Sequence, residues 1–323
     1  MLLSIVLIPV GVGLIIFGAN FLTDGASAVA ARYNIPDLII GLTIVGFGTS
    51  TPELTVSLIS AINGSGGMSV GNVLGSNIFN VLAILGITAL IIPIPVTKAM
   101  QKFDIPIGIL ASIVLVLVLV DLDFAVETES IVTRSEGLLL LGFAYLYMRY
   151  IVYMGKKGSQ RNSEVNTEVK HMKMGKSVLW TILGLIGLVA GGNLFVRGSS
   201  DIARELGVSE TVIGLTLVAW GTSLPELATS VVAAIKKDTD MAIGNVIGSN
   251  IFNIFMVLGI SATISPMRGL EFTYVDLITQ FLAMFLLLIF AKYITRGVIS
   301  RWQGAVMLVL FIAYNAILLQ GTL

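Results

Sequence analysis

The sequence predicts an all-α integral membrane protein with ten transmembrane helices in two inverted-topology five-helix repeats. Three observations lead there. The 323 residues are 56% hydrophobic and 12% charged, with a mean hydropathy of +0.96. That is about half the charge of a soluble domain, too little for a solvated shell. Ten apolar segments each approach the roughly 20 residues that a bilayer span needs. Finally, the chain contains itself twice, at a constant offset of 173 residues. A β-barrel is excluded, because the apolar stretches run far beyond about ten residues and do not alternate. The partner surface is the lipid bilayer. A net charge of zero gives no footprint for nucleic acid. Cysteine is absent, which removes disulfides, thiol chemistry and Cys-ligated metals.

The segments run in order. Residues 3–30 have neither a basic leader nor an A-x-A site, so they read as a retained span rather than a cleaved signal. Residues 36–62 follow and hold LIIGLTIVGFGTSTPEL at 38–54. Residues 68–92 hold GNVLGSNIFN at 71–80. Spans at 104–121 and 134–154 complete a first half, 1–154. The polar stretch 155–174 is the natural linker, and it contains His171, the only histidine. The second half, 175–323, carries spans at 175–200, 207–235, 240–265, 273–292 and 302–320. Within it, 211–227 reads TVIGLTLVAWGTSLPEL and 244–253 reads GNVIGSNIFN. Gly18-Ala19-Asn20 likewise matches Gly191-Gly192-Asn193 at the same offset. Gapless agreement over some sixty residues is the mark of duplication.

An odd number of spans per half makes the second copy enter the membrane from the opposite side, a device of many secondary transporters. With the N-terminus outside, fifteen of the nineteen Lys and Arg residues fall on inside segments. Only Arg134, Arg197, Arg204 and Arg268 fall outside. The positive-inside rule then places both termini outside and the linker in the cytoplasm. The outer loop with Asp121, Asp123, Glu127 and Glu129 reads as a solvated acidic loop.

Two acidic residues sit inside the spans without a basic neighbour. Glu53 and Glu226 occupy equivalent places in the two copies. A carboxylate at membrane depth costs about 2.5–3.5 kcal/mol or more, so each must face a partner or a cavity. Pro52 and Pro225 precede them. Each proline removes an N–H and frees carbonyls near Gly48 and Thr49, or near Gly221 and Thr222. Such carbonyls are tolerated at depth where they line a cavity. Thr49 and Ser50 share a helical face with Glu53, as Thr222 and Ser223 do with Glu226. Ser76 and Asn80 are four apart, as are Ser249 and Asn253. Close packing accounts for the glycines of these motifs, though not for the asparagines. The ligand inventory is all oxygen. It suits Ca²⁺, Na⁺ or protons rather than a transition metal.

GTSTPE and GTSLPE, each followed by GN-x-x-GSN-x-x-N, resemble the two α-repeats of the calcium/cation antiporters. The similarity is greatest to the prokaryotic sodium/calcium exchanger branch and covers nearly the whole chain. The resemblance implies a Na⁺/Ca²⁺ antiporter of the plasma membrane, with no enzymatic activity and no cofactor beyond the transported ions. It implies a Ca²⁺ site from Glu53, Glu226 and the carbonyls of Thr49 and Thr222. Flanking Na⁺ sites would use Ser50, Ser76, Ser223, Ser249 and the carbonyls of Gly46 and Ala219. Asn80 and Asn253 would stand at the centre, where some archaeal relatives carry Asp in place of Asn253. The first and sixth spans would slide against the other eight. A linker of some twenty residues stands where animal exchangers carry large regulatory domains. The sequence leaves the oligomeric state open, a monomer being one reading.

Other readings make distinct demands. A H⁺/Ca²⁺ exchanger would protonate both glutamates, and members of that branch typically carry an acidic residue where this chain has Gly75 and Gly248. Potassium co-transport is a further variant. A cation channel would need no counter-ion. An intramembrane hydrolase fails, because no span holds a His or an Asp pair.

Overall fold

A computed structural model describes residues 2–120, 131–159, 172–207, 219–270 and 272–322. Eight of its helices are long and apolar enough to cross a bilayer: α1 (Leu2–Tyr33), α4 (Gly66–Ile91), α5 (Met100–Leu119), α6 (Arg134–Ser159), α7 (Met174–Glu205), α10 (Thr239–Ile264), α11 (Tyr274–Ile294) and α12 (Arg301–Thr322). A further pair, α2 (Asp37–Thr49) and α3 (Thr51–Ile62), is apolar enough only when taken together and is bent by 44°. The expected span at 207–235 is described only in its second part, as α8 (Ala219–Thr222) and α9 (Leu224–Ile235). The motif stretch 211–218, the acidic loop 121–129 and most of the linker lie outside the described residues.

One boundary differs from expectation. Helix α6 continues through Gly155 to Ser159, so the first residues assigned to the linker are helical. Two glycines do not stop a helix that its preceding turns already support, and lysines near a helix C-terminus favour the dipole.

The bends have a local cause. Ser50 (φ −79°, ψ 7°) separates α2 from α3, and Ser223 (φ −92°, ψ 6°) separates α8 from α9. In each case proline occupies the second helical position after the break, where its missing N–H costs nothing. The result is a helix N-terminus in mid-segment, with Glu53 or Glu226 in its first turn.

Helices α4 and α10 form the centre. Their most apolar stretches are 78% and 89% buried, against 28% and 22% for α1 and α7. Helices α4 and α10 carry the asparagine, serine and glycine motifs, and polar side chains at membrane depth belong inside the bundle. They run antiparallel: Gly66, at the start of α4, packs against Arg268 beyond the end of α10, while β1 (Ile94–Pro95), just past α4, packs on α10. Both contain π-helical turns, Phe79–Ile84 and Asn253–Leu258. Such bulges re-aim side chains and recur at functional sites.

The ends of the bundle are closed in matching ways. β1 pairs antiparallel with β2 (Val298–Ile299), and Val132 bridges Met267. Arg301 Nη2 donates to the carbonyl of Ile91 at 3.3 Å, and Arg134 Nη2 to that of Ile264 at 3.5 Å. Each arginine meets the negative end of a central helix. Thr133 with Glu136 caps α6, and Ser300 with Gln303 caps α12, by reciprocal side-chain and backbone bonds in the first case.

Helix α1 lies along α7 on a seam of small residues, Ser4, Gly11, Gly18 and Gly25 against Ser177, Gly184, Gly191 and Gly198. A Cβ on Gly18 would stand 2.7 Å from the Leu188 nitrogen, and one on Gly191 2.7 Å from the Gly11 oxygen. Backbones approach this closely only where side chains are absent.

Candidate functional site

The two mid-segment helix starts bring Glu53 and Glu226 into the same interior, each 0% exposed. Each carboxylate is held by the other half of the chain. Ser223 Oγ donates to Glu53 Oε1 at 3.0 Å, and Ser50 Oγ donates to Glu226 Oε1 at 3.2 Å. The first-turn position adds the favourable end of the helix dipole. Among the described residues, the side chains that hold these carboxylates are hydroxyls and neither is an arginine or a lysine.

Behind each carboxylate stands an asparagine. Asn72 Nδ2 donates to the Glu53 carbonyl (3.2 Å) and to Ser57 Oγ (2.9 Å). Asn245 Nδ2 donates to the Glu226 carbonyl (3.2 Å) and to Ser230 Oγ (2.9 Å). Their Oδ1 atoms accept across the halves, from Thr222 Oγ1 at 3.5 Å and Thr49 Oγ1 at 3.1 Å. Every bond here has a mate displaced by 173 residues, so the repeat in the sequence is repeated in the chemistry.

The expected residues converge, with individual differences. Thr49, Ser50, Ser76, Asn80, Thr222, Ser223, Ser249 and Asn253 are all buried around the carboxylates or on the adjoining turns of α4 and α10. The Gly46 carbonyl is already engaged: Ser249 Oγ donates to it at 3.2 Å and the Ser50 nitrogen at 3.2 Å. Ala219 opens α8, at the edge of the described residues. The packing role expected of the motif glycines appears at Gly244 and Gly248, which lie against Leu38 and Leu42.

Among the described residues, four buried acceptor oxygens in this interior have no hydrogen-bond partner: Glu53 Oε2, Glu226 Oε2, Asn80 Oδ1 and Asn253 Oδ1. Buried polar atoms are almost always satisfied, so four such acceptors together call for a positive partner. Two carboxylate oxygens and two amide carbonyls form a donor set for a hard cation. Among the described residues there is no cluster of three or more His, Cys, Asp or Glu.

Similarity to known proteins agrees with this geometry. Residues 3–154 and 176–320 match the sodium/calcium exchanger protein family. The chain belongs to the sodium/calcium exchanger family. Sodium/calcium exchanger MaX1 of Methanosarcina acetivorans is 32% identical, with 98% of each chain covered. Inner membrane protein YrbG of Escherichia coli is 36% identical over 82% of this chain and 81% of its own. A solved structure of the sodium-calcium exchanger NCX_Mj superposes with a TM-score of 0.82 at 33% identity, covering 98% of both chains. This exchanger is therefore a transmembrane antiporter of the Ca²⁺-exchanging kind.

Sequence reasoning passed over Asn72, Asn77, Asn245 and Asn250 as named residues, together with Ser57 and Ser230. The signal was present. GN and SN recur in both copies, and asparagine in an apolar helix demands a hydrogen-bonding reason.

Proposed function

We propose that this protein exchanges Na⁺ for Ca²⁺ by alternating access at one site between two inverted five-helix repeats. Glu53 and Glu226 supply the charge that neutralises one Ca²⁺ or two Na⁺, and mutually exclusive occupancy couples the ions. Thr49, Thr222 and the serines at 50, 76, 223 and 249 complete the oxygen set, with Asn80 and Asn253 at the centre and the carbonyls of Gly46 and Ala219 at the flanks. What carries the reading is the set of four buried, unpartnered oxygens, supplied in equal parts by the two halves. Antiparallel α4 and α10 support the inverted topology, and the 173-residue offset supports repeats at 1–154 and 175–323. The distribution of Lys and Arg supports a cell-membrane orientation with both termini outside and the linker inside.

The test is Ca²⁺ uptake into proteoliposomes loaded with Na⁺ and diluted into Na⁺-free buffer at equal pH. Uptake should require internal Na⁺. Uptake driven by a pH gradient alone would move the coupling ion to H⁺. Flux without any counter-ion would indicate a channel.

A further inference from the structure

An asparagine can present either a carbonyl oxygen or an NH₂ group, and a cation accepts only the oxygen. Asn80 and Asn253 therefore serve a cation site in one of two orientations. Their neighbours decide which. Asn77 and Asn250 meet where α4 crosses α10. Asn77 Nδ2 donates to the backbone carbonyl of Asn250 at 3.2 Å, and Asn250 Nδ2 to that of Asn77 at 3.2 Å. A backbone carbonyl only accepts, so these two amides have a single orientation. Their Oδ1 atoms consequently face the next pair. Asn253 Nδ2 donates to Asn77 Oδ1 at 3.1 Å, and Asn80 Nδ2 to Asn250 Oδ1 at 3.0 Å. The NH₂ groups of Asn80 and Asn253 are thereby committed. Their carbonyl oxygens are the atoms left buried without a protein partner. All four side chains are at most 1% exposed, so water does not compete for these bonds.

We propose that Asn77 and Asn250 are positioning residues that set the polarity of the ion site: they lock both central amides with oxygen toward the cation and NH₂ away. The inference rests on the function proposed above and adds a specificity determinant to it. Without Asn77 the Asn253 amide turns freely, and half of its orientations aim a positive N–H edge at the ion. Asn250 does the same for Asn80. Each residue governs the ligand of the opposite half.

The test uses the purified full chain in detergent and reads Ca²⁺-dependent thermal stabilisation as a function of Ca²⁺ concentration. Asn77→Ala should raise the half-saturating Ca²⁺ about tenfold, as is usual when the partner that orients a metal ligand is lost. Asn253→Asp provides the rescue, because a carboxylate offers oxygen whichever way it turns. In that background Asn77→Ala should shift the half-saturating concentration less than about twofold. Asn250→Ala should be rescued by Asn80→Asp and not by Asn253→Asp, which gives an independent arm if Asn77→Ala fails to fold. The proposal is overturned if the alanine variants only lower stability without Ca²⁺ and leave half-saturation unchanged. Equal losses in both backgrounds, or rescue by the wrong aspartate, overturn it as well. A wild-type chain that Ca²⁺ neither stabilises nor is carried by would instead refute the proposed function, so the two failures are distinguishable.

Discussion

Lys236 Nζ stands 2.9 Å from Asp24 Oδ1 and 3.3 Å from the Asn20 carbonyl oxygen. It ties α1 to the far end of α9, the helix whose first turn holds Glu226. Both side chains are partly exposed, so the pair contributes about 0–1 kcal/mol. Neutralising Lys236 and Lys237 should therefore leave ion selectivity unchanged and shift thermal stability by only a few degrees. Transport assayed with Ca²⁺ against competing cations checks this. An altered selectivity would show that this rim of the bundle takes part in choosing the ion.

Replacing Glu53 or Glu226 with Gln removes half of the compensating charge and keeps the shape. Ca²⁺ transport should fall to background in either variant, measured as Na⁺-driven uptake in proteoliposomes. Near-normal exchange in one of them would remove that residue from the site.

The seam between α1 and α7 leaves no room for a side chain. Gly18→Val or Gly191→Val would drive a branched side chain into backbone atoms 2.7 Å away. Overpacking of this kind costs about 1–3 kcal/mol or more. Both variants should lower the melting temperature by several degrees, while Gly142→Ala, whose added carbon meets nothing within 4 Å, should not. Equal behaviour of the three in a thermal melt would contradict the packing described.

Asp238 caps the first turn of α10, accepting from the Met241 nitrogen at 3.1 Å, and also accepts from Ser27 Oγ at 3.1 Å. Burial raises its pKa above 3.8, those hydrogen bonds pull it down, and the nearby Asp240 adds to the rise. A folded pKa above the unfolded one means that the folded chain binds the proton more tightly. Stability from this group is therefore greatest in acid and declines as pH rises above 3.8 through the raised value. Asp238→Asn should flatten that decline in melting temperature as the pH rises above 3.8. An unchanged slope would show that other groups set it.

The duplication, the spans and the two glutamates were legible because each leaves a one-dimensional trace: apolar runs of fixed length, a constant offset, a charge where none is tolerated. Pro52 marked this stretch as irregular through the carbonyls it frees, but the bend at Ser50 itself was not read from the sequence. The connections across the interior were not legible either. That Ser223 grips Glu53 and Ser50 grips Glu226 depends on how α3 and α9 are brought together, and no local pattern encodes a bond spanning 170 or more residues. Asn77 and Asn250 were hidden for the same reason, since their bonds run to backbone carbonyls of the other half. The extension of α6 to Ser159 escaped because a helix end is set by capping and packing more than by hydropathy.

Crossed holding of the carboxylates bears on ancestry. Each half lacks the serine that steadies its own glutamate, so neither half is a complete device. On the inverted topology proposed above, a single half would need two copies of itself, one head-up and one head-down, to assemble the same interior. One chain carrying both halves supplies them in a fixed ratio. The halves are not identical, with Thr51 against Leu224 and Phe47 against Trp220, while the side chains that clasp the two carboxylates are the same in both.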